Sequence, residues 1–212
     1  VFTLGNHELW SFPGFQIEQI VSKYRTILEE YGMYLLHNDL LYKEDCGLLA
    51  DPNTGTHLIK YHDLCQMNKT QIADRLRSAR YVILGGSGFS GYNMEFNADN
   101  GIYRMTVDRT TEIKESKIFE DLYNRLRPIL INKNTIILTH TPKKDWCREA
   151  EPDKNYVYVS GHTHRNFFYD DGEYRVYSDI QVGYHSEDPH LKTFLIDNDY
   201  DCFSDYEDGI FE

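Results

Sequence analysis

The sequence predicts a single α/β domain, and three observations lead to that prediction. Amphipathic helical segments alternate with short apolar strands over the first two-thirds of the chain, and strands dominate the last third. The chain has 212 residues, enough for one hydrophobic core, and its composition (41% hydrophobic, 26% charged) is that of an ordinary globular protein. Neither an internal repeat nor a low-complexity linker divides it. We therefore treat residues 1–212 as one domain.

Three segments have the periodicity of helices. The first is predicted over residues 15–31 and ends at Gly32, a typical C-terminal cap. A shorter helix is predicted over residues 70–80. The longest is predicted over residues 111–130, where apolar residues recur at helical spacing.

Short apolar runs predict the strands, and several of them end at glycine, asparagine or histidine. A strand or a pair of strands is predicted over residues 33–43, whereas turn signals interrupt residues 46–70 and leave them unassigned. The other predicted strands are Val1–Leu4, Tyr81–Gly86, Asn134–Thr139, Asn155–Ser160, a hairpin over Phe167–Asp179 that turns at Asp171–Gly172, and a closing strand over Leu191–Asp197.

Charge and hydropathy exclude several classes of partner. The net charge of -12 repels a nucleic-acid backbone, so we expect no broad binding of nucleic-acid duplexes. No apolar run approaches the roughly 18 residues of a membrane span, and no membrane partner is expected. The four cysteines form no C-x-x-C pair, which favours reduced thiols in a cytoplasmic protein. A signal peptide upstream of Val1 stays open, and the sequence does not indicate an oligomeric state.

Polar donors directly follow three of the predicted strands. LGNHE delivers Asn6 and His7, ILTHTP delivers His140, and VSGHTH delivers His162 and His164. Loops at strand ends converge in open α/β sheets, and imidazole nitrogen and amide oxygen are ligands for zinc, iron or manganese. In an extended G-H-T-H, both histidines point to the same side. One such histidine alone is more often structural, but the ordered set predicts a site for one metal ion or two adjacent ones.

The set LGNHE, ILTHTP and VSGHTH resembles the calcineurin-like metallophosphoesterase family, from Val1 to about Asp197. The resemblance implies a four-layer α/β/β/α sandwich and a metal-dependent phosphoesterase that hydrolyses phosphomonoesters or phosphodiesters through a metal-bridging hydroxide. It implies two divalent metal ions (Mn, Fe or Zn). Asn6, His140 and His162 would bind one ion, and His164 would bind the other.

The resemblance also implies that His7 is the catalytic histidine, which meets the substrate phosphate and protonates the leaving group. An imidazole titrates near pH 6.5 in general, which suits a proton donor at physiological pH. The implied substrate is a phosphorylated small molecule, a nucleotide or a phosphoprotein.

Two motifs of that family, D-x-H and G-D-x-x-D, should precede G-N-H-E and are absent from the sequence. They would supply an aspartate and a histidine to the first ion, and the carboxylate that bridges both ions. We therefore expect an N-terminally incomplete fragment that lacks a strand–helix portion, is inactive alone, and exposes sheet edges and apolar surface. The alternative is a degenerate, non-catalytic member that binds a phosphorylated ligand or a partner protein. A structural metal site that serves folding is a third interpretation.

Several smaller features keep two interpretations each. The segment GGSGFSGYN, residues 85–93, is either a mobile loop near the metal pocket or a plain turn. Its neighbourhood holds aromatic residues that either contact a leaving group or cover the core: Phe89, Tyr92 and Phe96. Lys143 and Lys144 either steer an anionic substrate or lie solvated in a loop. The histidines expected to be structural or surface residues are His37, His57, His62, His185 and His190.

Overall fold

The computed structural model describes residues 1–44, 54–92, 107–163 and 167–178. Several predictions lie outside these residues: the closing strand Leu191–Asp197, the ligand His164, and the residues Phe96, His185 and His190.

Six helices and seven strands occur in the described residues. The helices are α1 (Asn6–Trp10), α2 (Ile17–Glu29), α3 (Tyr61–Gln66), α4 (Lys69–Arg75), α5 (Arg109–Leu130) and α6 (Lys143–Trp146). The strands are β1 (Asp39–Glu44), β2 (Thr56–Ile59), β3 (Ala79–Gly86), β4 (Asn134–Thr139), β5 (Tyr156–Ser160), β6 (Phe167–Asp170) and β7 (Arg175–Ser178).

All seven strands belong to one mixed sheet with the order β2-β1-β3-β4-β5-β7-β6. The central strands β3, β4, β5 and β7 run parallel, whereas β1 is antiparallel to β2 and β3, and β6 is antiparallel to β7. Thr139 is in register with Gly86 on one side and with Ser160 on the other, so β3, β4 and β5 end at one edge. The predicted α/β class is confirmed, and this carboxyl edge is where the strand-end motifs emerge.

Helices cover one face of the sheet. Val82, Ile137 and Tyr158 point to this face and form a core with α4 and α5, whose apolar stripe confirms the predicted long helix. Asp108 caps α5, because its side chain accepts a hydrogen bond from the Thr111 N–H at 2.7 Å. A second core combines buried apolar residues of α1, α2 and their flanking loops with Phe89 and Val107.

The opposite face of the sheet is aliphatic but only half-buried. Ile83, Ile136, Leu138 and Val159 alternate with the core residues and share this second face. An open groove of about 480 Å³ lies on it, lined in part by Leu41 and Ile83. An aliphatic sheet face of this kind normally packs against another layer.

The sequence predicts the later elements better than the first strand. The hairpin of β6 and β7 turns at Asp171–Gly172, with Gly172 at a φ of +84°, as predicted. The strand over residues 1–4 is wrong in extent, because Phe2 makes only an isolated parallel bridge to Leu35. A strand needs backbone hydrogen bonds along its length. In the described residues this segment has only the one bridge at Phe2, so no strand of four residues forms. None of the described helices is long and apolar enough to cross a membrane.

Candidate metal centre

Asn6 and His140 meet at the carboxyl edge of the sheet although 134 residues separate them in the chain. The Oδ1 atom of Asn6 lies 2.8 Å from Nε2 of His140. Asn6 is buried, with 4% of its surface exposed, and His140 is half-buried. An amide oxygen accepts hydrogen bonds and also binds cations. The contact is therefore either a hydrogen bond that the imidazole N–H donates to the amide oxygen, or a pair of ligands for one cation.

His162 joins this pair from the end of β5. Its ring centroid lies 5.2 Å from that of His140, with the ring planes inclined by 62°. The backbone N–H of Gly161 also donates a hydrogen bond to the carbonyl oxygen of His140 at 2.9 Å. Three of the four predicted metal ligands therefore come together, and the fourth, His164, lies outside the described residues.

Gly5 lets the first loop approach His140 closely. A β-carbon at position 5 would lie 2.6 Å from Cε1 and 2.8 Å from Nδ1 of the His140 ring. The Gly5 N–H donates to Oε2 of Glu8 at 2.8 Å, which fixes the first turn of α1. Neither Gly5 nor Glu8 had a predicted role, although both stand inside LGNHE and a glycine before a ligand indicates a close approach.

His7 lies beside Asn6 on the first turn of α1. Its side chain is exposed, and its ring lies 4.8 Å from the ring of Trp10. The contacts that the structure describes for the His7 ring do not include His140 or His162. Its catalytic role thus stays a prediction, with an exposed imidazole one residue from a buried candidate ligand.

The extended conformation predicted for G-H-T-H is wrong in its described part. His162 has a φ of +73°, and the Thr163 N–H donates to the Gly161 carbonyl oxygen at 2.9 Å. A three-residue ring of this kind is a γ-turn, which reverses the chain directly after β5. The alternation of sides that placed His162 with His164 therefore does not apply.

The glycine-rich segment packs against the protein over residues 85–92. Phe89 is 2% exposed and belongs to the second core, so it covers the core. The Thr141 hydroxyl donates to the Phe89 carbonyl oxygen at 2.6 Å, and the Gly91 N–H donates to Oγ of Ser116 at 2.8 Å. Tyr92 is half-buried, and its N–H donates to the carbonyl oxygen of Asp145. These contacts favour the plain-turn interpretation.

Neither interpretation of Lys143 holds. Its side chain is buried, its ammonium group donates to the Glu151 carbonyl oxygen, and it lies 3.8 Å from Oδ2 of Asp153. Burial lowers the pKa of the Lys143 ammonium. The ammonium therefore serves an internal polar network, whereas Lys144 is exposed.

The described histidines outside the motifs have structural or surface surroundings, as predicted. His57 stacks on Tyr42 with 4.9 Å between ring centroids. The Nε2 atom of the His62 ring lies 2.8 Å from the side-chain Nε2 atom of Gln66. His37 is half-buried, and burial together with the Arg25 charge lowers its pKa to about 4.

The donor set fits a metal ion in kind, because an amide oxygen and imidazole nitrogens are common metal ligands. The 2.8 Å between Asn6 Oδ1 and His140 Nε2 is a hydrogen-bond distance. Two donors bound tetrahedrally at roughly 2.1 Å lie about 3.4 Å apart, so these two atoms would separate slightly around an ion. Within the described ranges, no group of three or more His, Cys, Asp or Glu side chains is placed to hold a metal ion. The candidate centre therefore consists, so far as the structure describes it, of one amide oxygen and two imidazoles, all neutral donors.

Comparisons with protein-family models, with curated proteins and with solved structures found no significant match. No relative therefore transfers a function to this chain.

Proposed function

We propose that this chain carries the metal-binding edge of a binuclear, metal-dependent phosphoesterase of the calcineurin-like family. One observation carries the proposal: Asn6, His140 and His162 come from three separate segments and lie together at one sheet edge. Sheet register alone does not bring the buried amide oxygen of Asn6, which lies in α1, within 2.8 Å of the His140 ring nitrogen.

Each residue has a defined part in this proposal. Asn6, His140 and His162 bind one divalent ion, and His164 binds the second. Bound ions of this type supply Lewis acidity and activate water for attack on phosphorus at neutral pH. The exposed imidazole of His7 contacts the substrate phosphate and gives a proton to the leaving oxygen. The substrate is a phosphomonoester or phosphodiester, and the ions are Mn, Fe or Zn.

The proposal includes the four-layer sandwich and a requirement for carboxylates. The half-buried face with Ile83, Ile136 and Leu138 supports a second layer over the sheet. Two close divalent ions also need anionic ligands to offset their charge, and the described donors are neutral. We therefore expect hydrolysis only when the carboxylates of D-x-H and G-D-x-x-D motifs are supplied.

Metal binding is the first test. The chain is titrated with Zn²⁺ against a fluorescent chelator, alongside His140→Ala and the matched control His57→Ala, which removes a surface imidazole stacked on Tyr42. We expect His140→Ala to weaken Zn²⁺ binding at least tenfold and His57→Ala to leave it unchanged. Equal effects of both variants would sink the assignment of the site.

Hydrolysis is the second test. The chain, alone and joined at its N-terminus to a segment that carries D-x-H and G-D-x-x-D motifs, is assayed with p-nitrophenyl phosphate and bis(p-nitrophenyl) phosphate in the presence of Mn²⁺ or Zn²⁺. We expect turnover that His7→Ala reduces by about 10²–10⁴-fold, the usual contribution of a general acid. Metal and phosphate binding without turnover would instead support the non-catalytic alternative.

A further inference from the structure

The turn after β5 holds His162 in a strained backbone conformation. His162 has a φ of +73° and is the central residue of the γ-turn that Thr163 N–H closes onto the Gly161 carbonyl oxygen. The γ-turn with a positive central φ is rare and strained, since the β-carbon crowds the backbone there. Strain of this kind persists only where the surrounding structure imposes it, and it concentrates at functional sites.

The register of the sheet explains what the strain achieves. Partner residues in parallel strands point to the same face, and Thr139 pairs with Ser160 on the helix-covered face. If both strands continued in extended form, His140 would point to the second face and His162 to the helix-covered face. The two imidazoles would then lie on opposite sides of the sheet. In the structure their centroids are 5.2 Å apart.

A hydrogen bond fixes the turn in place at its first residue. The Gly161 N–H donates to the His140 carbonyl oxygen at 2.9 Å, so the turn is attached to the residue whose ring it must meet. His140 in turn faces Asn6 at 2.8 Å. The position of the His162 ring thus depends on two backbone amides, those of Gly161 and Thr163.

We propose that the γ-turn at residues 161–163 is a positioning device that carries the His162 imidazole across the sheet to His140, at a cost to the stability of the chain. The identity of the ligand rests on the proposed function, whereas the strain and the ring placement do not. Thr163 acts as a positioning residue through its backbone N–H, and its side chain is exposed.

A glycine–alanine comparison measures the strain without the imidazole. His162→Gly and His162→Ala both remove the ring, but only glycine adopts a positive φ freely. We expect the glycine variant to melt about 2–6 °C above the alanine variant. The same pair at His140, which lacks a positive φ, should show the usual order with alanine more stable. Alanine melting at or above glycine at position 162 would overturn the proposal.

A proline substitution tests ring placement with both imidazoles retained. Thr163→Pro removes the N–H that closes the turn and biases residue 162 towards extended φ, whereas Thr163→Ala keeps the amide. We expect the ring-proton Overhauser effect between His140 and His162 to be lost in the proline variant and kept in the alanine variant. Zn²⁺ affinity should fall about 10–100-fold in the first and stay within about twofold in the second.

The two readouts separate this inference from the proposed function. Loss of the Overhauser effect in Thr163→Pro supports the positioning device even if the parent chain binds no Zn²⁺, a result that would refute the metal centre alone. An Overhauser effect that survives the proline substitution would overturn the positioning device, and so would an unchanged Zn²⁺ affinity where the parent chain binds Zn²⁺. The proposed function would then still stand on His140→Ala.

Discussion

Replacing Gly5 by alanine should disrupt the contact between the first loop and His140. The new β-carbon would lie 2.6 Å from Cε1 of the His140 ring, where non-bonded carbons normally lie at about 3.5 Å or more. The ring must therefore recede by roughly 1 Å. Its Nε2 atom is only 2.8 Å from Asn6 Oδ1, so a movement of that size breaks the hydrogen bond.

The expected loss of stability follows from three contributions. Overpacking of a well-packed contact costs about 1–3 kcal/mol, and losing a neutral hydrogen bond costs about 1 kcal/mol. Gly5 has φ -101° and ψ -174°, an extended conformation that alanine adopts without strain. The alanine variant has a lower chain entropy in the unfolded state, and this offsets about 0.4–1 kcal/mol of the loss. The net change is about 2 kcal/mol, which corresponds to a drop in Tm of about 4–8 °C for a chain of this size.

A double-mutant cycle isolates the clash. Free energies of unfolding are measured in urea for Gly5→Ala, for His140→Ala and for the double variant. Without the ring at position 140 the β-carbon has room, since the third close atom, Oε2 of Glu8 at 3.0 Å, ends a flexible side chain. Gly5→Ala should therefore become neutral or slightly stabilising in that background, with a coupling energy of about 2 kcal/mol. An equal loss in both backgrounds would refute the reasoning.

Two further predictions concern the charges near β1. Because burial and Arg25 lower the pKa of His37 to about 4, the folded state favours the neutral imidazole, and stability is lost as pH falls from 6.5 towards 4. The unfolding free energy should fall by up to about 1.4 kcal/mol per pH unit. Urea melts of His37→Leu should show a shallower fall of the unfolding free energy with pH across this range. Equal slopes for the variant and the parent chain would contradict the lowered pKa of His37. Arg25→Met should cost about 3–5 kcal/mol at pH 7, because it leaves the Asp39 carboxylate, 1% exposed, without its guanidinium partner. Its control is Arg77→Met, which breaks an exposed pair with Asp74 and should cost less than about 1 kcal/mol, so similar losses for both arginines would argue against the burial effect.

Local patterns were enough to predict the elements that bring the site together. The long helix α5, the strands β3, β4 and β5, and the hairpin at Gly172 all follow from periodicity and turn chemistry, which act over a few residues. The convergence of His140 and His162 followed from one general property, that parallel strands end at a common edge. Asn6 reaches that edge from α1, after a segment that makes only one isolated bridge. No local pattern fixes distances across that edge.

The predictions failed where long-range packing decides the conformation. Val1–Leu4 has the composition of a strand but makes only one bridge, because pairing needs neighbours that composition does not reveal. Lys143 follows a proline and reads as a loop lysine, yet the fold buries its ammonium near Asp153. Extended G-H-T-H was the default for a strand end, but a γ-turn stands there, and the Gly161 N–H bonds to His140, a residue that is distant in sequence and that no local pattern reveals.

His140 is the residue through which these long-range constraints act on the site. Its ring nitrogen faces Asn6, its ring carbon leaves no room for a β-carbon at Gly5, and its carbonyl oxygen accepts the amide of Gly161. The first two contacts orient the ring from the N-terminal loop, and the third holds the turn that presents His162. A change at any one of these partners must therefore shift the ring relative to the others. Gly5→Ala and Thr163→Pro lie far apart in the sequence and change no donor atom. Both should nevertheless weaken the same Zn²⁺ binding, whereas Thr163→Ala should not.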